Sequence, residues 1–477
     1  MSRKGVVFVV LALLLIVSGV QAYDQPAAGK ARSVILLISD GMGPNHQYLA
    51  EMYAEQVLGT QTYIKTMPNI AYVETLTVNN NITDSAPAGS SIHAGGRYRN
   101  GVINVDENNM TRFTIGHAAQ EAGKSVGIVS TARITHATPA SVYASVPQRD
   151  MEDEIAVQLL GFAPEVALGG GIRHFLPRDN GGRRDDGRDL VAEFVEAGYT
   201  FVRTGSEFNA LDLANTERLL GLFTGSHMAY EIDRVQQELD EPSLAEMTAA
   251  ALEMLSRNEN GFFLSVEGAR IDHASHANDA VGVLHDQLAF EEAVRVALEY
   301  QAANPDTLVI VTADHECGGL ILGRDNIFSV NIGHLEQYTC SVEYAMSQIG
   351  RSPDNAEAIL AECGWQFTDA DQAMLAMFAP DTAPGATGFM AFDAAEGYVS
   401  NWLQYVMSHS QSAGAQIGWS SWTHTAGPIF AFSSGPGSDM LVGNIHLEDI
   451  AFAMAEAMGV TFPEPVSCNC ELPVVEY

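Results

Sequence analysis

Six short apolar runs punctuate the chain, at 34–38, 126–129, 166–168, 262–266, 308–312 and 429–432. They are rich in β-branched residues and do not alternate with polar ones. That is the pattern of parallel strands buried on both faces. Helical patterns occupy the intervals. Residues 243–257 open on Ser243-x-x-Glu246, a capping box, and end in a polar turn at 258–261. Residues 280–303 form a longer helix, stopped by Asn304-Pro305. Strand–helix alternation predicts an α/β fold: a doubly wound, mostly parallel central sheet with helices on both faces, in three layers. From 318 to 421 the alternation fades, and the stretch reads as an insertion, either a compact subdomain or a set of long surface loops. The Gly-, Arg- and Asp-rich segment 179–189 reads as an exposed loop.

The N-terminus changes the picture. Arg3 and Lys4 precede an uncharged apolar run, and Val20-Gln21-Ala22 has the small residues of a signal peptidase site. Residues 1–22 are therefore expected to be a signal peptide cleaved after Ala22, placing the protein in the periplasm or outside the cell. An uncleaved anchor is the competing expectation for that run; no later segment is long and apolar enough to span a bilayer. The whole chain carries 24 basic and 59 acidic residues, a formal charge of −35. Such a charge disfavours nucleic acid and anionic membranes as partners. Of the five cysteines, Cys340 can pair with Cys363 and Cys468 with Cys470, which leaves Cys317 free. Their spacing fits no zinc–thiolate framework, so all five read as structural.

Candidate chemistry collects where the predicted strands end. The run 34–38 leads to Asp40-Gly-Met-Gly, 262–266 to Glu267 and then Asp272, His273 and His276, and 308–312 to Asp314-His315-Glu316. His424 stands just ahead of 429–432. Strand ends are where such sheets carry their functional residues. A mixture of carboxylate and imidazole suits a divalent cation, zinc above calcium or magnesium. Asp272 and His276, four apart, share one face of a helical turn. A nucleophile candidate, Ser85, lies in Thr83-Asp-Ser-Ala-Pro-Ala-Gly. No G-x-S-x-G elbow surrounds it, so a metal is the expected activator of its hydroxyl.

Taken together, Asp40-Gly-Met-Gly, Thr83-Asp-Ser-Ala, Val266-Glu-Gly-x-Arg-Ile-Asp-His-x-x-His, Thr312-Ala-Asp-His-Glu and His424-Thr-x-Gly resemble the alkaline phosphatase family, in its order. The resemblance implies hydrolysis of phosphate monoesters through a phosphoserine on Ser85, with two zinc ions and one magnesium ion per subunit. It implies Asp272, His276 and His424 on the outer zinc, and Asp40, Asp314, His315 and the Ser85 oxygen on the second. Asp40 is expected to bridge to magnesium held by Thr138 and Glu267. Arg149 matches the arginine that clamps phosphate, for which a guanidinium fork is suited. His136 and His273 resemble the histidine pair of animal-type members and are expected just outside the ligands. The resemblance further implies a homodimer, and a catalytic domain from 23–317 and 422–477 interrupted by a crown-like region at 318–421.

Three other readings compete. A phosphodiesterase or phosphonate hydrolase of the same superfamily keeps the two-zinc ligands but usually lacks counterparts of Thr138, Glu267 and Arg149. A sulfatase needs arginine where Gly89 stands. A non-catalytic exported metal- or solute-binding protein has no use for the nucleophile and clamp together.

Overall fold

The structure, a computed structural model, describes residues 30–378 and 402–462. Its first eight strands are β1 (Ser33–Ser39), β2 (Asn69–Glu74), β3 (Ser125–Arg133), β4 (Val166–Gly170), β5 (Thr200–Val202), β6 (Leu219–Leu222), β7 (Phe262–Gly268) and β8 (Thr307–Thr312). Short strands β9 (Glu316–Cys317), β10 (Leu320–Leu322), β11 (Ile417–Trp419) and β12 (His424–Thr425) follow, then β13 (Ile429–Ser434) and β14 (Gly443–His446). Ten of them form one sheet in the order β14-β2-β13-β8-β1-β7-β3-β4-β6-β5.

All seven residues of β1 are buried, and its side chains divide between two cores. Ile35 and Leu37 enter one core, with Leu284 and Phe290 of the helix Ala280–Ala303 and Met247 and Leu255 of the helix Leu244–Leu255. Val34, Leu36 and Ile38 enter the other, with Ile92 of the helix Ser85–Ala94 and Met454 of the helix Leu447–Met458. A strand with no polar face must be covered on both sides, and the three-layer α/β/α arrangement follows. Both expected helices form. Ser243 and Glu246 close the capping box on Leu244–Leu255, and Asp279 caps Ala280–Ala303.

One expectation fails. The run at 429–432, read as a parallel strand, lies in β13, which is antiparallel to both its neighbours, β8 and β2. The remaining strand pairs of the sheet are parallel. Direction is set by the route of the chain. After β8 it leaves through the insertion and returns by β12, which pairs with β9 just past the end of β8. β13 therefore starts at the edge where β8 finishes.

Within 318–421 the described residues are largely helical, and β10 pairs with β11 where the chain leaves and returns. Leu335, Val342, Trp365 and Met407 join the same core as Ile35. Cys340 and Cys363 form a disulfide across 23 positions, and Cys317 is free and buried. Cys468, Cys470 and the segment 1–22 lie outside the described residues. Opening the disulfide with the pair Cys340→Ser and Cys363→Ser is expected to cost about 3 kcal/mol, from the lost loop constraint on the unfolded chain. Denaturant titration of the two proteins checks this. The segment 179–189 is not wholly exposed: Arg184 is buried, donating to the carbonyls of Asp153 and His174 at 2.7 and 3.1 Å. Among the described residues no helix is long and apolar enough to cross a membrane.

Candidate active site

Parallel strands bring separate loops to one edge of the sheet, and the site is built there. Asp40 directly follows β1, on a turn that only glycine completes: Gly41 has φ +77°, and a Cβ there falls 2.8 Å from Asp272 Cα. Glu267 lies in β7, and the helix Arg270–His276 that follows carries Asp272 and His276 on one face. Asp314 and His315 follow β8. His424 arrives on β12, opposite Cys317. Because β13 is antiparallel, a residue ahead of its start reaches the same edge as residues past the ends of the others.

Asp272, His276 and His424 converge. Both imidazoles lie 3.5 Å from the Asp272 carboxylate through Nε2, and their Nε2 atoms are 3.1 Å apart. Their Nδ1 atoms face the carbonyls of Trp422 and Thr83 at 2.6 and 2.8 Å. A carbonyl only accepts, so each Nδ1 carries the hydrogen and each neutral ring turns an Nε2 lone pair inward. Two lone pairs and a carboxylate facing one another call for a positive charge between them. Electrostatics agree. Burial pushes the His424 imidazole down, but the hydrogen bond and charge of Asp272 outweigh it and raise it. Burial likewise raises Asp272, yet His276 and His424 hold it well below the usual carboxylate range. Cys317 Sγ joins this cluster, all four donor atoms lying within 4.8 Å of one another. From the sequence alone that cysteine reads as structural.

Asp40, Asp314 and His315 form the neighbouring group. His315 Nε2 is 3.1 Å from Asp314, 3.7 Å from Asp40 and 3.3 Å from Ser85 Oγ. Asp40 also lies with Glu267, and Thr138 stands against Glu267. Oxygens of Asp40, Thr138, Glu267, Asp272 and Asp314 are buried here without hydrogen-bond partners. Burial pushes Asp40 well above the usual carboxylate range, and Asp314, Asp272 and Glu267 push it further. Burial raises Glu267 to about 7 against a hydrogen bond from Ser130. Orphaned oxygens among crowded acids fit bound cations, and the donor set suits divalent ones.

Ser85 begins the helix Ser85–Ala94, and Asp84 caps it, accepting from Ala86 N at 2.7 Å. The serine hydroxyl is thus presented at a helix start, where the positive end of the helix dipole favours an incoming anion. Arg149 donates to Asp84 at 3.2 Å and meets His136 Nε2 at 3.0 Å, beside the serine. His136 lies within ligand reach of Asp40 and Glu267, closer than the place just outside the ligands that the sequence suggests, and His273 packs against it with a third histidine that the strand pattern does not mark. His227 packs 4.2 Å from His273, centroid to centroid. It follows β6, a strand also missed, and reading past Leu222 as past the other strand ends finds it.

The profile of the family described as alkaline phosphatase matches residues 31–460. The chain belongs to the alkaline phosphatase family. This alkaline phosphatase is 32% identical to that of Schizosaccharomyces pombe over 466 residues, which span 93% of this chain and 84% of the relative. It is 29% identical to alkaline phosphatase 3 of Bacillus subtilis, over 90% and 89% of the two chains. The crystal structure of the Thermus thermophilus alkaline phosphatase superposes with a TM-score of 0.81 at 32% identity, over 96% and 97% of the chains. The protein is thereby a metal-binding phosphoric monoester hydrolase.

Proposed function

We propose that this alkaline phosphatase works through a phosphoserine on Ser85, with two zinc ions and one magnesium ion held by its clustered side chains. The observation that carries the reading is the pair of inward Nε2 lone pairs, His276 and His424, closing on Asp272 next to the group in which His315 meets Ser85. Asp272, His276 and His424 would hold one zinc, Asp40, Asp314 and His315 the other, and Thr138 and Glu267 with Asp40 the magnesium. When bound, these cations lower the pKa of the hydroxyl and of water and neutralise charge on the reacting oxygens.

The chain's own residues do the rest. The helix Ser85–Ala94 aims Ser85 Oγ at phosphorus, in line with the ester oxygen. A new Oγ–P bond forms as the P–O ester bond breaks and the alcohol leaves. Water then attacks phosphorus from the opposite side, the Oγ–P bond breaks, and inorganic phosphate departs. Arg149 pairs with two phosphate oxygens in both displacements, held in aim by Asp84. His136 accepts from Arg149 and helps hold its aim, while His273 accepts from Arg270. A homodimer, export after cleavage at Ala22 and a crown-like role for 318–421 belong to the same proposal and rest on the sequence.

Comparing turnover of 4-nitrophenyl phosphate with bis(4-nitrophenyl) phosphate tests the reading. A large preference for the monoester is expected; a preference for the diester overturns it in favour of a phosphodiesterase. Arg149→Ala is expected to weaken phosphate inhibition by about tenfold to a hundredfold, through loss of a bidentate charged contact. Competition by inorganic phosphate measures it.

A further inference from the structure

A cavity of about 670 Å³ adjoins the catalytic serine's surroundings, its lining including His136, His273 and Arg149. Arg133, Arg173, Arg178 and Arg183 line it as well. Five of the chain's 24 basic residues thus border one cavity in a protein with 59 acidic ones. Three have their charge answered. Arg133 is gripped by Glu152 at 2.7 and 2.8 Å, Arg149 by Asp84 at 3.2 Å, and Arg178 by Asp185.

Arg173 and Arg183 differ. Arg173 donates Nε to His174 at 3.1 Å, and among the described residues no carboxylate pairs with it. Arg183, solvent-exposed, makes no side-chain hydrogen bond or ion pair among the described residues. The Arg183 amide donates to the Arg173 carbonyl at 2.6 Å, which fixes the two residues side by side. Burial and the nearby Arg133 and Arg183 charges press the Arg173 pKa down against Glu152 and Asp153. Five acids share the lining, Asp150, Glu152, Asp153, Glu154 and Asp185, but among the described residues none forms an ion pair with Arg173 or Arg183. Asp153 binds His174 at 2.7 Å, Glu154 acts on Arg188, and Asp150 is exposed to solvent. Two arginines on paired backbone, neither in an ion pair among the described residues, match a phosphate-sized dianion.

The three histidines are the rival feature, since ring nitrogens of His136, His227 and His273 lie within 4.8 Å of one another. A cation there needs their lone pairs. Arg149 already donates to His136 Nε2 at 3.0 Å, and Arg270 to His273 Nδ1 at 2.9 Å. Their remaining ring nitrogens must then carry hydrogens, and the His136 Nδ1 donor is buried without a partner. With those nitrogens engaged by arginines, the three histidines do not make a cation site of this wall.

We propose that Arg173 and Arg183 form a second anion subsite, so that this enzyme favours phosphomonoesters bearing a second phosphate, such as sugar bisphosphates. The inference rests on the phosphomonoesterase reading of the site for its substrate class. One phosphate is placed at Ser85 and Arg149, while the other is held by the arginine pair. A volume of about 670 Å³ lies within the range of small-molecule pockets and exceeds what one phosphate fills. The need is physical too: a bisphosphate is repelled by a protein of formal charge −35, and a local pair of cations offsets that.

The test compares glucose 1,6-bisphosphate with glucose 6-phosphate at low ionic strength, following phosphate release. Wild-type enzyme is expected to favour the bisphosphate in kcat/KM by about tenfold, the scale of added charged hydrogen bonds. The preference should shrink with salt. Arg173→Gln with Arg183→Gln should remove it and leave 4-nitrophenyl phosphate turnover unchanged. Arg183→Glu alone, at an exposed position, should reverse it without risk to folding. Equal kcat/KM for the two sugars in wild type, or equal losses on both in the variants, overturns the subsite. Calorimetric binding of both sugars to the Ser85→Ala protein, without turnover, separates the two readings. Tighter bisphosphate binding that depends on the arginine pair supports the subsite even where no monoester is hydrolysed, and equal binding refutes it.

Discussion

Ser85→Ala is expected to lower kcat/KM on 4-nitrophenyl phosphate by about a thousandfold or more, the scale of losing a nucleophile. The fold gives little reason for any other outcome. The helix Ser85–Ala94 is capped by Asp84, so its start survives the change. The Ser85 hydroxyl has one side-chain contact among the described residues, His315 at 3.3 Å, and no stabilising network is lost with it. The melting temperature should stay within a degree or two of wild type, and inorganic phosphate should still bind. A variant retaining most of its activity removes Ser85 from the mechanism. Water attacking phosphorus directly, without a phosphoserine, would then be the reaction.

Chelation is expected to abolish activity and to lower the melting temperature, with zinc and magnesium restoring both. The stability loss should depend on pH in a particular direction. In metal-free protein Glu267 is raised by burial to about 7, and burial with neighbouring acids raises Asp40 as well. A carboxyl whose folded pKa lies above its unfolded value stabilises fully below the unfolded value, near 4.5 for Glu267, and loses that stability as pH rises through about 7. Asp272 and Asp314 are depressed, burial being outweighed by their histidine partners, so their contribution is present above the usual carboxylate range and is lost in acid. Between pH 5 and 8 the raised pair governs. The gap in melting temperature between loaded and stripped protein should therefore widen from pH 5 to pH 8. Calorimetric scans across that window read it directly. A gap that narrows shows that the acids are not held together by cations.

The sequence made much of this site legible because each motif sits just past a strand whose burial is local and obvious. Asp40, Glu267 and Asp314 attach to β1, β7 and β8, whose residues are all buried in these stretches. What was missed depended on context beyond the local pattern. In β2 the exposed Ile70 and Tyr72 alternate with buried Ala71 and Val73, so the strand lacks the solid apolar run that marks the others. Strands β5 and β6 are three and four residues long, and Gly221 interrupts the latter. Losing β6 cost His227, the residue waiting five positions beyond it. The direction of β13 is written in the path of the chain, and no residue within it says which way it runs. Cys317 looked like a spare thiol because its place opposite His424 appears only when β9 and β12 pair.

The pairing of β9 with β12 has a temporal consequence. His424 is synthesised long after Asp272 and His276, with all of 318–421 lying between. A nascent chain still short of His424 carries Asp272, His276 and Cys317 of this cluster but not its fourth member. Assembly of that cluster therefore waits on the return of the chain through β12, and a product truncated before His424 has no way to complete it.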